Sequence, residues 1–164
     1  MISVEDARAL LFELAHQMPE ETVPLVEARN RVLARDVEAQ RTQPPFPASA
    51  MDGYGVRADE ITNGASFRVI GEAAAGSRFS GPVGPGQAVR IFTGAPVPDD
   101  VGFVVIQEDV DRVGDTITII GNTGENSNIR PAGGDFAEGQ VFAAPKRLGP
   151  ADIALLASMN ISKV

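Results

Sequence analysis

The sequence predicts an α+β fold that is mainly β: a bent and coiled β-sheet domain, residues 41–144, inserted into a small helical layer formed by the two chain ends, residues 1–40 and 145–164. Three observations predict it. Apolar residues recur at helical spacing near the start of the chain and again from Pro150, and not between. Most glycines and prolines lie beyond Asp36, where they bound short β-branched runs. The chain is 43% apolar but only 5% aromatic, so a core is affordable and must be built from Val, Ile, Leu and Ala.

Residues 3–18 read as a helix. Ser3 caps it, with Asp6 as a weak capping-box partner. Val4, Ala7, Leu10, Leu11, Leu14, Ala15 and Met18 form one face, and Pro19 ends it. Residues 21–26 read as a short extended piece that Pro24 confines to an edge or a linker. Residues 27–35 return to a helical pattern through Ala28, Val32 and Leu33. The expected strands are 66–73, 87–92, 101–110, 115–120 and 140–143. The best hairpin pairs 102–106 with 116–120, with Val113-Gly114-Asp115 near its turn. Residues 73–86 alternate glycines with Phe79 and Val83, as turns joining short strands of a strongly bent sheet would. Residues 150–159 read as a second helix, apolar enough to be largely buried, with Asn160 as its stop. Residues 161–164 then begin an extended segment, as a fragment of a longer chain would.

Composition excludes several function classes. The net charge of −8 argues against nucleic acid as the main partner, because phosphate neutralisation needs clustered basic residues. The absence of cysteine removes disulfides, thiol chemistry and cysteine-ligated zinc. A single histidine, His16, leaves no histidine-rich metal site, and a catalytic role for it would need an acid or a nucleophile positioned with it. No apolar run reaches spanning length and no signal peptide is visible, so a cytoplasmic protein is the default.

Three polar loops can carry chemistry. In PPFPASAMDGYGVRADE, residues 44–60, Pro44, Pro45 and Pro47 fix φ and remove donors, which excludes a helix or a central strand there. Ser49 and Asp52 follow, and Asp52-Gly53 is a turn dipeptide in which Gly can take positive φ. A rigid lead-in and a tight turn present the Asp52 carboxylate at a fixed place; an ordinary Asx turn explains the same residues. The second loop, Thr93-Gly94-Ala95-Pro96-Val97-Pro98, places a hydroxyl and backbone amides at a strand end, either as an anion-binding concavity or as a proline-stiffened turn. The third, residues 128–135, offers Arg130 as a fixed cation and Asp135 on a glycine turn, or else an Arg–Asp pair on the surface. Glu108 ends an apolar run as a site carboxylate or a solvated acid. Asp99-Asp100 and Asp109 with Asp111 lack calcium-loop spacing, and no phosphate-binding glycine motif is present.

Taken in order, PPFPASAMDGYGVRADE, VRIFTGAPVPDDVGFVVIQEDV, NIRPAGGDFAEGQVF and LGPADIALLASMNISKV resemble the molybdopterin molybdenumtransferase family, MoeA and the gephyrin E domain. The resemblance runs over nearly the whole chain, is weakest before Thr22, and matches only the family's N-terminal half. It implies insertion of molybdenum from molybdate into adenylylated molybdopterin, with Mg²⁺, releasing AMP. It also implies a homodimer whose cleft lies between this β domain and a downstream domain of the other subunit, so the chain alone is expected to be inactive. By position, it implies that Asp52 and Thr93 are catalytic, that Asp52 faces the metal, and that Ser49, Gly94, Arg130 and Asp135 bind substrate. Gly55 stands where relatives often have Ala, and Gly134 where an acid is frequent. A bare carboxylate repels anionic substrates, so Asp52 needs Mg²⁺ before a phosphate oxygen or a pterin N–H to accept from. Thr93 and the Gly94 amide are then expected to hold an anionic group. A non-catalytic dimerisation or partner-binding scaffold module is the second reading.

Overall fold

The computed structural model of the protein describes residues 2–16, 18–121 and 123–164. In chain order its elements are α1 (Val4–Leu14), β1 (Val32–Leu33), β2 (Val37–Glu38), β3 (Ala48–Ser49), β4 (Gly53–Val56), β5 (Ser66–Ala73), β6 (Gln87–Ile91), β7 (Phe103–Ile106), β8 (Val110–Val113), β9 (Thr116–Ile119), β10 (Ile129–Arg130), β11 (Val141–Phe142), β12 (Lys146–Arg147) and α2 (Pro150–Ser158). The protein is mainly β, with a helix towards each chain end, as the sequence predicts. The chain divides into two compact units, Met1–Val37 with Phe142–Val164, and Glu38–Val141.

The larger unit is organised by a six-stranded sheet in the order β7-β4-β6-β5-β9-β8. Only β5 and β6 run parallel. Its curvature follows from connectivity. In a flat sheet the two edge strands would stand about 24 Å apart, at ~4.8 Å per strand spacing. Yet β7 and β8 are joined by the 3₁₀ turn Gln107–Asp109 alone, which spans at most about 14 Å. The sheet must therefore curl until its edges approach one another.

Side-chain alternation fills both faces of the curl. Tyr54, Val56, Phe67, Ala88, Phe103, Val105, Ile117 and Ile119 form one cluster, while Val89, Ile91, Val101 and Val104 join Ala73, Val83, Ala95 and Val97 in another. All four residues of β4 are buried, as befits a strand between two neighbours. Gly53 is not a positive-φ turn residue, contrary to expectation; it opens β4 in extended conformation. Glycine is required there because a Cβ would lie 2.1 Å from the Val105 carbonyl oxygen.

The strands over 66–73, 87–92, 115–120 and 140–143 occur at nearly the expected bounds. The run 101–110 does not form one strand. The Gln107–Asp109 turn divides it, and the hairpin is made by β8 with β9, around Gly114 at φ 60°. Residues 102–106 instead supply β7, which pairs with β4.

In the smaller unit, α1 is capped as expected: the Ser3 hydroxyl oxygen accepts from the Asp6 amide at 3.0 Å. The helix ends at Leu14 and buries none of its residues; the Gln17 position of the expected helix lies outside the described residues. The helix expected over 27–35 is absent. Asn30 adopts φ 67°, its amide donates to Leu148, and β1 pairs with β12. Exposed Val32 beside buried Leu33 is strand alternation, which two or three apolar positions cannot distinguish from a helical face. The extended piece near Pro24 pairs with the chain end through Val23 and Val164, which exchange amide bonds of 2.8 and 3.0 Å. α2 begins at Pro150 and packs against the Leu25–Glu27 turn, and Asn160, at φ 67°, stops it. Of its residues only Leu156 is buried, so the expectation of a largely buried helix is corrected. Its small alanines give it an apolar composition without requiring burial.

Candidate functional site

The three polar loops are joined through β3. The Ser49 amide donates to Ala95 at 3.0 Å, and the Gly94 amide donates to Ser49 at 2.8 Å, which ties the first loop to the second. On the other side β3 pairs with β10, and the Ala50 amide donates to Asn128 at 2.9 Å, which ties the first to the third. The proline run makes this geometry: it forbids regular structure until Ala48, so only the short segment 48–50 is left to ladder.

Asp52 stands at the head of β4 and Thr93 just past the end of the antiparallel neighbour β6, where Gly53 faces Ile91. The register therefore brings together two residues far apart in sequence. Thr93 donates to Asp52 Oδ1 twice, from its amide at 2.7 Å and from its hydroxyl at 2.8 Å. Among the described residues, Oδ2 has no hydrogen-bond partner. The Thr93 amide, then its hydroxyl, and the Arg90 cation hold the carboxyl below its ordinary value of 3.8, against a smaller opposing effect of desolvation. Asp52 is thus an anchored carboxylate with one oxygen open.

This asymmetry makes a pH prediction. A group whose folded pKa is depressed contributes stability above its unfolded pKa and loses it as pH falls through the folded value. Thr93→Val removes the hydroxyl bond but keeps the amide bond, which is the larger cause. The Asp52 carboxyl of that variant should titrate closer to 3.8 than in the wild type, and still below it, by carbon-detected NMR. An unchanged titration would show that the hydroxyl does not hold the carboxylate.

Other expected site residues take different roles. Ser49 is 1% exposed, and its hydroxyl donates to the Met51 carbonyl at 2.6 Å. It shapes the turn that presents Asp52 and offers no donor to a ligand. The anion-binding concavity at Thr93-Gly94 is also corrected. The Thr93 amide serves Asp52, the Gly94 amide serves Ser49, the Ala95 amide serves Phe92, and Pro96 has none. Gly94 is glycine for its φ of 81°, not for close approach by an oxyanion. Arg130 and Asp135 pair with each other at 2.5 Å, both about half exposed. Exposed pairs are weak and exchange readily with a ligand, so this pair remains a cation and an acid near β3. Glu108 accepts from the Gln107 side chain at 3.2 Å.

Sequence reasoning missed Arg90 and Gln107. Arg90 donates to the Gly53 carbonyl at 3.2 Å and to the Gln107 side chain at 2.6 Å. The available signal was one charged residue inside the apolar run Ala88-Val89-Arg90-Ile91-Phe92.

The fold is of a class in which a curled sheet presents an anchored acid where three loops meet. Comparison with known proteins makes the class specific. The chain matches the family model described as MoeA N-terminal region (domain I and II) over residues 2–160, and it belongs to that family. It is 36% identical to a molybdopterin molybdenumtransferase of Haemophilus influenzae, covering all of this chain and 41% of the relative. It is 33% identical to one of Nostoc sp., again over all of this chain and 40% of the relative. The crystal structure of a molybdopterin biosynthesis moeA protein from Pyrococcus horikoshii superposes with a TM-score of 0.87 at 34% identity, covering 98% of this chain and 44% of that one. The chain thus spans about two fifths of the length of these relatives.

Proposed function

We propose that this chain is the part of a molybdopterin molybdenumtransferase that supplies one wall of the active cleft. The enzyme takes adenylylated molybdopterin and molybdate as substrates, releases AMP and forms molybdenum cofactor. The observation that carries this reading is the Asp52 carboxylate, anchored through one oxygen by Thr93 and open at the other. Family membership supplies the substrate class.

Mg²⁺ fits this donor set. It is commonly held by one or two carboxylates, with water and substrate phosphate oxygens completing the shell. Asp52 is such a carboxylate, and among the described residues no cluster of three or more acidic or imidazole groups could hold a metal unaided. When bound, the ion would neutralise phosphate charge. In its absence, Oδ2 can accept from a pterin N–H. Thr93 acts by fixing Asp52 rather than by gripping an anion, and Ser49 and Gly94 set the turn on which Asp52 sits. Arg130 and Asp135 remain the substrate-binding pair of this proposal. Homodimerisation and a cytoplasmic site of action belong to it as well. The exposed Leu10, Leu11, Phe12 and Leu14 of α1 are in keeping with an interface, and no helix among the described residues is long and apolar enough to cross a membrane.

The test is complementation. This chain alone should not form molybdenum cofactor from adenylylated molybdopterin and molybdate. Mixed with a separately produced remainder of the enzyme, it should. Insertion by the chain alone, or none by the folded pair, would overturn the reading.

A further inference from the structure

Arg90 lies in β6 directly opposite Tyr54 of β4. Its guanidinium carbon is 4.9 Å from the Tyr54 ring centroid and 4.7 Å from that of Phe92. Aromatic contact orients the plane of the guanidinium, and its two Nη groups then have defined targets. One donates to the Gly53 carbonyl at 3.2 Å, the other to the Gln107 side-chain oxygen at 2.6 Å. Gln107 lies where the chain leaves β7, and its own amide donates to the Asp52 carbonyl at 3.1 Å. The consecutive carbonyls of Asp52 and Gly53 are therefore held by two residues that are bonded to each other. Thr93 holds the Asp52 side chain from the third direction. Packing alone does not require a cation between two aromatic rings in the middle of an apolar strand.

We propose that Arg90, acting with Gln107, is a positioning residue for Asp52: it locks the backbone on which the carboxylate is mounted and so fixes where the open oxygen points. This rests on the reading of Asp52 given above. A lysine keeps the charge but cannot serve two acceptors from one planar fork.

The experiment uses Arg90→Lys and Arg90→Met in the complete enzyme, with kcat and KM for adenylylated molybdopterin measured separately. Both variants should lose about 10- to 100-fold in kcat, the range typical of residues that orient a ligating group. KM should stay within about twofold, because a mispointed carboxylate impairs the reaction more than substrate capture. The loss in Arg90→Met combined with Thr93→Val should be smaller than the product of the single losses, since both act through one side chain. Arg90→Lys carries the test if the methionine variant does not fold. Wild-type kcat in Arg90→Lys, or full multiplicativity with Thr93→Val, would overturn the proposal. Loss of activity in Asp52→Ala together with a normal rate in Arg90→Lys would sink this inference alone, whereas normal activity in Asp52→Ala would sink the reading beneath it.

Discussion

Asp52→Ala in the complete enzyme is expected to lower molybdenum insertion by on the order of 10²-fold or more, the scale on which single preorganised electrostatic groups act in enzyme sites. Stability should fall only slightly, by what the lowered carboxyl pKa contributes at neutral pH. The carboxylate is at the surface, and water can replace it as acceptor for the Thr93 amide and hydroxyl. Asp52→Asn should be about as damaging, and the reason is geometric. Two donors from Thr93 converge on Oδ1, so an asparagine must place its oxygen there. Its NH₂ then occupies the place of Oδ2, presenting a donor where a metal or a pterin N–H needs an acceptor. Rate measurements on the two variants, with melting curves to confirm folding, decide the matter. Near-normal insertion by a folded Asp52→Ala protein would remove Asp52 from the chemistry, and an active Asp52→Asn protein would mean that Thr93 does not dictate the orientation of the group.

What the sequence could show of this site follows from which constraints are local. Proline acts within a residue or two, so the rigid lead-in and the break after β6 were legible, whereas the positive φ read at Gly53 falls instead at Gly94. Short segments with β-branched residues, bounded by glycines and prolines, gave β5, β6 and β9 almost at their bounds. The partner of a strand is not local information. By pattern residues 102–106 can pair with 116–120, but the three-residue turn after Ile106 leads to β8, so that β7 lies at one edge of the strand order and β9 beside the other edge. The same limit hid β4. Gly53-Tyr54-Gly55-Val56 looks like turn material, yet the two glycines are where the neighbouring chain comes too near for a side chain. Hydrogen-bond saturation was invisible too. Thr93 and Gly94 read as free amides until Asp52 and β3 arrive from elsewhere in the chain to consume them. Arg90 was missed for the converse reason, since its value depends on a carbonyl of β4 and on an amide side chain in the turn after β7.

Gly53→Ala tests this account of β4 directly and should be among the most damaging single substitutions in the larger unit. The added Cβ would meet the Val105 carbonyl oxygen at 2.1 Å, the Val105 carbonyl carbon at 2.9 Å and the Ile106 Cα at 3.1 Å. All three are backbone atoms of the adjacent strand, so no side-chain rotation relieves the clash, and β4 and β7 must separate at Gly53–Ile106. Overpacking ordinarily costs about 1–3 kcal/mol, and a rigid obstacle belongs at the upper end. A loss of about 3 kcal/mol lowers Tm by roughly 6–12 °C in a chain of this size. Gly64→Ala is the matched control. It changes the same atoms at a φ of 85° with nothing within 4 Å of the new Cβ, so it should cost only the left-handed backbone strain, about 1–2 kcal/mol. Gly53→Ala should also cost activity beyond its effect on stability, because the displaced residue is bonded to Arg90 through its carbonyl and directly follows Asp52. Thermal melting of the two variants side by side gives the answer. A Gly53→Ala protein that melts no lower than Gly64→Ala would mean that β7 yields freely, and that the close approach of the two strands does not fix the position from which Asp52 projects.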